Sequence, residues 1–325
     1  RLIFGPIKAA ADNFRAARND YRTRYAELVK AVGPHLTPGQ IAAPELGYTF
    51  GAGKDSGSAV LLHAILHTGN ESNKRKLLLG RGWASENEDG TLDTTRWDAF
   101  LRRMIDQGVI TKAHYDYAQG VWDLLESMKP AAQEAHRKVY GRYFAEVTAE
   151  PVVTPWGVYR GGYVPAQTDA RIVTEAKLRE LAEAENASMA YAFPSAPSGF
   201  TKARVEYNKP LLLDLRVLAQ HIDKVLLFTH MQPAVNDVRR LLTRKDVGRA
   251  LDRVAPGAYE AMLTPWLQRS AQQIVETPIA GDRKLSRFLS AARSRTGMAF
   301  MFANISNTVQ QLTGFSSAAV KVRPR

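Results

Sequence analysis

The chain reads as an all-α protein, a multi-helix, bundle-like architecture with one small β-hairpin near 152–164. Three observations predict this. Apolar residues recur at three- and four-residue steps through most of the chain. Gly, Pro and Thr punctuate those runs where helix ends need them. Only one short segment alternates as a strand does. No repeat with a period of roughly 20–50 residues is present, which sets a solenoid aside.

The first helix carries the stripe Ile7, Ala10, Phe14, Ala17, Tyr21, Tyr25, Leu28 and Val32, with Arg15, Arg18, Arg22 and Arg24 off it. Gly33-Pro34 ends it, a permissive residue followed by one without an amide donor. A Gly-rich and basic loop region is expected over 33–95, broken by a helix from Ser58 to His67. Within it, Asn70–Glu88 is polar and its one apolar anchor is Leu77–Leu79. Thr94 or Thr95 caps a helix bearing Trp97, Phe100, Leu101, Met104 and Ile105, and Gly108 ends it. Thr111 caps a longer element with Tyr115, Ala118, Trp122, Leu125 and Met128. There Pro130 either kinks the helix or opens a new one reaching about Val147. Val152-Val153-Thr154, a Pro155-Trp156-Gly157 turn and Val158-Tyr159-Arg160 form the hairpin, which Tyr163-Val164 is expected to close.

An acidic helix is expected from Thr174 to Tyr191, and an irregular run over Phe193–Gly199 follows. Beyond Pro210 an a/d seam runs through Leu211, Leu215, Leu218, Ile222, Val225 and Thr229. Pro233 is expected to interrupt it, with Val235–Leu242 continuing. Helices near Val247–Val254 and Pro256–Val275 come next, and a last one opens near Asp282. Three regions result: 1–150, N-terminal and helical; 151–210, hairpin, acidic helix and irregular linker; and 211–325, C-terminal and helical. The chain is expected to be an excerpt of a longer polypeptide. It starts at Arg1 with no signal-peptide pattern and stops at Arg323-Pro324-Arg325.

With no cysteine there are no disulfides or thiolate metal sites. Forty-four basic against 32 acidic residues give a net charge of +12, which suits anionic partners and equally a merely basic surface. Lys74, Arg75 and Lys76, with Arg81 and Trp83 nearby, combine charge with one stacking ring. Arg239, Arg240, Arg244, Lys245, Arg249 and Arg253 make a second basic set. Both are candidates for sequence-independent nucleic-acid contact, although charge runs are more often simply solvated faces.

His63 and His67 are spaced to share a metal, and Glu71 is a conceivable third ligand. The zincin general base is missing, because Ala64 stands there, and packed core histidines explain the spacing as well. Gly51–Gly57 suggests a phosphate loop, but Tyr48 replaces its first glycine and Asp55 its Ser or Thr, so a turn is the better reading. Trp156, Tyr159 and Tyr163 are either a ligand platform or the anchors of a lone hairpin. Asp123 and Glu126, or Asp214 and Asp223, show no arrangement for acid–base work, and no serine has a nucleophile-elbow setting. No catalytic residue and no cofactor are expected.

Between Arg295 and Lys321 there is no charged side chain. Met298, Met301, Phe302, Ile305, Val309 and Leu312 form one stripe, while Asn304, Asn307 and Gln311 form a second. The window 296–320 is long enough to cross a bilayer. Its amides fit better in a bundle or an oligomer seam, where neighbouring helices satisfy them.

Several strings are distinctive together: Leu61-Leu62-His63-Ala64 with Leu66–Asn73, Gly199–Tyr207, Thr229-His230-Met231, and Met301–Asn307. Over roughly Ala59–Val322 they resemble a helical region of the large polyvalent proteins of tailed bacteriophages and prophages. The resemblance implies packaging in the virion interior and delivery with the genome into the host envelope or cytoplasm. It also implies enzymatic modules elsewhere in such polypeptides, and it transfers no catalytic residue. The resulting expectation is a structural, ejection component that assembles with copies of itself or with other virion proteins. Leu215, Leu218, Ile222, Met301, Phe302, Asn304, Ile305, Asn307, Val309 and Gln311 would form its seams. A nucleic-acid-binding module beside a catalytic domain is the second reading, and a metal-dependent hydrolase at His63 and His67 is the third.

Overall fold

The computed structural model describes residues 3–52, 56–169, 209–254, 256–257, 263–264 and 266–267. Three long helices frame it: α1 (Phe4–Val32), α5 (Lys112–Tyr140) and α6 (Arg216–Leu242), each packed against the other two. Between α1 and α5 lie β1 (Ile41–Ala43), β2 (Tyr48–Phe50), α2 (Gly57–Leu66), α3 (Glu71–Gly80), β3 (Ser85–Glu86), β4 (Leu92–Asp93) and α4 (Thr95–Asp106). β5 (Val152–Thr154) and β6 (Gly157–Tyr159) follow α5, and α7 (Lys245–Val254) follows α6. The described residues thus hold seven α-helices and three two-stranded antiparallel hairpins, a predominantly all-α fold. One hydrophobic core runs through all three sequence regions, joining Phe14, Val29, Leu62, Trp122, Leu125, Leu218 and Ile222.

The helix ends follow local chemistry. Gly141, at φ 75°, stops α5 in the left-handed region that glycine reaches without strain. At the start of α5, Thr111 and His114 form a reciprocal capping box, with the imidazole taking the place usually held by Glu or Gln. Both internal prolines are carried inside unbroken helices. Pro130 neither ends α5 nor opens a new helix, which stops at Tyr140 rather than near Val147, and Pro233 does not interrupt α6. Each proline costs a backbone bond, but Met128 and Ala132, or Met231 and Val235, are buried on either side of it. The seam's first residue, Leu211, precedes α6 and bridges to Thr168.

The expected loop at 33–95 is more ordered than its composition suggests. Ile41 pairs with Phe50 and Ala43 with Tyr48, and Tyr48, Phe50, Trp83, Trp97 and Phe100 form an aromatic nest beneath. Asn70–Glu88 contains a full helix, because Asn70 caps α3 through the Asn73 N–H and Leu77 and Leu78 are wholly buried.

Polar groups join the long helices. Asp223 of α6 takes both Arg18 and Arg22 of α1, with Arg18 Nε at 3.2 Å and Arg22 Nε at 2.9 Å. The Tyr25 hydroxyl, fully buried, donates to the Leu215 carbonyl at 3.3 Å and lies 3.3 Å from that of Tyr117. A second join surrounds Gly69, whose carbonyl accepts the Glu150 and Gly162 N–H groups at 2.9 and 2.8 Å. Asn70 and Asn73 donate their side-chain amides to the Gly162 and Val164 carbonyls at 3.0 and 2.7 Å. The Trp122 indole donates to Leu66 at 3.0 Å, and its ring lies flush against Gly69. The expected hairpin forms between Val152–Thr154 and Gly157–Tyr159, but Tyr163-Val164 does not close it. That pair is instead buried as the far half of this clasp.

Two glycine substitutions separate crowding from propensity. A Cβ on Gly69 would sit 2.5 Å from the Trp122 ring, so Gly69→Ala is expected to cost about 1–3 kcal/mol of unfolding free energy. On Gly120 a Cβ would meet only the mobile methyl end of Leu28, so Gly120→Ala is expected to be neutral, or stabilising by up to about 1 kcal/mol. Urea denaturation of both variants checks the pair; equal losses would refute the clasp as a rigid contact.

Asp223→Ala is expected to cost about 3–5 kcal/mol, since it leaves two guanidinium groups facing each other at a helix interface. Urea denaturation measures this as well, and a loss below about 1 kcal/mol would mean that the pair behaves as an exposed one.

Candidate functional site

The histidine pair is the most concentrated chemistry in the described residues. His63 lies in α2, and His67 opens the 3₁₀ turn that follows. Their rings meet edge to face with centroids 4.9 Å apart, and both side chains are fully buried. Neither ring nitrogen of His63 has a hydrogen-bond partner among the described residues. Burial drives its pKa down to about 4, with Asp214 opposing and Arg81 reinforcing the shift. Glu71, the conceivable third ligand, instead lies on the outer side of α3 at 3.5 Å from Arg75. Among the described residues no group of three or more His, Asp or Glu side chains converges as a metal cage requires. Both rings are core residues of the described structure, and Asp214 and Arg81 are the charged groups that act on His63.

Of the glycine-rich segment at 51–57, residues 53–55 lie outside the described residues. Gly57 has a structural reason: a Cβ there would press on the backbone of Gly39, Ile41 and Phe50, and its N–H donates to Gly39 at 2.7 Å.

The two basic clusters part company in space. Lys74 pairs with Glu150 at 2.9 Å. Arg75 bonds Glu71, Glu86 and the Gly90 carbonyl, tying α3 to the β3–β4 hairpin. Lys76 is buried, and Arg81 donates to the Leu211 carbonyl 3.9 Å from the Asp169 carboxylate. The Arg81 guanidinium also lies over the rings of Tyr48 and Trp83 at 5.5 Å. Trp83, expected as a stacking ring for a base, is buried against Trp97. The first cluster is thus built into the protein. Arg239, Arg240, Arg244, Lys245, Arg249 and Arg253 are all exposed, at the end of α6 and along α7.

Leu215, Leu218 and Ile222, expected to build seams with other chains, are buried in this chain's own core against α1 and α5. Met301, Phe302, Asn304, Ile305, Asn307, Val309 and Gln311 lie outside the described residues, as do the acidic helix at 174–191 and the irregular run at 193–199. Among the described residues no helix is long and apolar enough to cross a membrane. The hairpin aromatics serve as anchors: Trp156 and Tyr159 pack on Tyr115 of α5, with ring centroids at 6.0 and 5.5 Å, and Tyr163 packs on His221. Asn70 and Asn73 stand in one of the distinctive strings, but nothing local marks them as partners of Gly162, or of Gly161, where a Cβ would press on the Glu150 and Gly69 carbonyls. Their signal was the pairing of two amides three residues apart with a Gly-Gly step, which has no periodicity.

Acid should destabilise the fold through two separate buried histidines. His63 and His114 are each held neutral, with pKa values lowered to about 4 from an unfolded value near 6.5. Their contribution is fully present above pH 6.5 and is lost as pH falls from there through 4, because the unfolded chain takes up the protons first. Thermal unfolding between those limits should show this slope. His63→Leu should flatten it and be neutral or stabilising by about 1 kcal/mol at pH 7, since it replaces an unpartnered imidazole with an apolar group. A variant as acid-sensitive as the parent, or a zinc-dependent rise in Tm that His63→Leu abolishes, would overturn the packing role. Comparison of the chain with family models, with curated proteins and with solved structures finds no match.

Proposed function

We propose that this chain is a structural, non-catalytic helical module of a phage-type virion protein, one that assembles with copies of itself or other virion proteins and accompanies genome delivery. One observation carries the reading: of the strings by which the chain resembles the polyvalent phage proteins, the two among the described residues supply holding points of the fold. His63 and His67 are buried, Gly69 takes two backbone bonds, Asn70 and Asn73 grip the far side of the clasp, and Met231 is fully enclosed. A string serving catalysis would have to present polar groups to a substrate. Here Asn70 and Asn73 turn their amides inward, onto backbone carbonyls.

Since Leu215, Leu218 and Ile222 are occupied within the chain, assembly falls to the stripe Met301, Phe302, Ile305 and Val309 with its amide neighbours Asn304, Asn307 and Gln311. Light scattering after size exclusion should give a mass above that of one chain. Ile305→Asp with Val309→Asp should return it to the mass of one chain, with the helical circular dichroism unchanged. A parent chain that is monomeric and binds neither its own copies nor vesicles would remove the assembly reading. Association that survives the double variant would move the contact elsewhere on the molecule.

A further inference from the structure

The end of α6 and the exposed side of α7 carry a charge arrangement that fold stability does not explain. From Arg239 to Arg253 there are six cations against two carboxylates, Asp246 and Asp252. Asp246 is engaged by Arg244 at 3.0 Å. Lys245, Arg249 and Arg253 follow one another at four-residue spacing, so like charges stack on one helical face in steps of about 6 Å. Each such pair costs about 0.2–0.5 kcal/mol in an isolated helix. Arg244 and Lys245 also stand at the start of α7, where the helix dipole favours anions. Arg239 and Arg240 differ, because the last turn of α6 is where cations help.

We propose that this face, centred on Arg240, Lys245, Arg249 and Arg253, is a binding site for the phosphate backbone of nucleic acid, used without regard to base sequence. Charge complementarity commits it to that partner: the stripe advances along a polyanion in steps that meet successive phosphates. Its lining is cationic, with no Asn or Gln between Arg239 and Arg253 to read a base edge. An anionic lipid surface is the lesser fit. A membrane-surface helix must present its apolar side to the acyl boundary. Here Val247 and Leu251 are half-buried, and Leu251 packs on the chain's own core. The first basic cluster takes no part, because Lys74, Arg75 and Arg81 already bond Glu150, Glu86 and the Leu211 carbonyl. The site does not depend on self-assembly through the 301–311 stripe.

The test is fluorescence anisotropy of short labelled duplexes of unrelated sequence, titrated with the full chain at several salt concentrations. Binding should be alike for all sequences, with a log–log salt slope of about −3 to −4 for four neutralised phosphates. Arg240→Glu with Lys245→Glu and Arg249→Glu should weaken it at least about tenfold. Lys245→Gln with Arg249→Gln should lower the slope by about 2 while keeping parental helicity, which guards against misfolding of the reversal variant. Lys74→Glu should leave affinity unchanged. Parental affinity in the reversal variant, or binding to anionic vesicles and not to duplex, overturns the proposal.

Discussion

The junction of α2 and α3 is held to the segment after α5 by one group, the carbonyl of Gly69. It takes two N–H groups from the segment after α5, at Glu150 and Gly162, while Trp122 of α5 lies against the same residue from the other side. Three stretches distant in sequence therefore meet at one peptide, and only a residue without a side chain leaves room for the indole. The two asparagines that follow turn this meeting point into a clasp. Asn70 caps α3 with its oxygen and holds Gly162 with its nitrogen, and Asn73 reaches Val164. One side chain thereby sets both where α3 starts and where the incoming chain lies. Because these groups are buried, each bond stands in for a full desolvation penalty rather than a small net gain.

The same arrangement continues to the other edge of the fold. Past Val164 the chain reaches Thr168, which bridges to Leu211, and the backbone bonds from Asp169 to Pro210 and from Leu212 to Gln167 flank that bridge. Arg81, at the end of α3, donates to Leu211 and faces Asp169. The entry to α6 is therefore fixed from α3, and α6 is then locked onto α1 by Asp223. Removing solvent from Arg81 and Asp169 is costly, and the fold tolerates it because the Leu211 carbonyl and two aromatic faces share the guanidinium.

What the sequence made legible was local. Gly33 and Gly108 end helices, Thr111 starts one, and the Trp156-Gly157 step turns a hairpin, all through chemistry contained within a few residues. Pro233 misled because its cost is local but the burial that offsets it comes from distant elements. The helix α3 hid for a related reason: its basic face, Lys74 to Lys76, looks like solvated loop until Glu150 and Glu86 arrive from elsewhere in the chain. Net charge was equally mute. A total of +12 does not say which cations face carboxylates, and the two basic clusters, alike as strings, differ completely once folded.

The burial of His63 and His67 bears on the kinds of chemistry open to the described residues. A hydrolytic site must admit water and a substrate to its metal or base. His63 lies in a helix whose ten residues are all buried, and His67 opens the buried turn that follows it. To reach them α2 would have to leave the core, giving up Leu61, Leu62, Ile65 and Leu66, each of which is worth about 1.5–3 kcal/mol when fully buried. That sum is comparable to the whole stability of an ordinary domain, so such an opening is close to unfolding. Among the described residues the interior around His63 and His67 is therefore packed as core, while the cations along α7 face solvent.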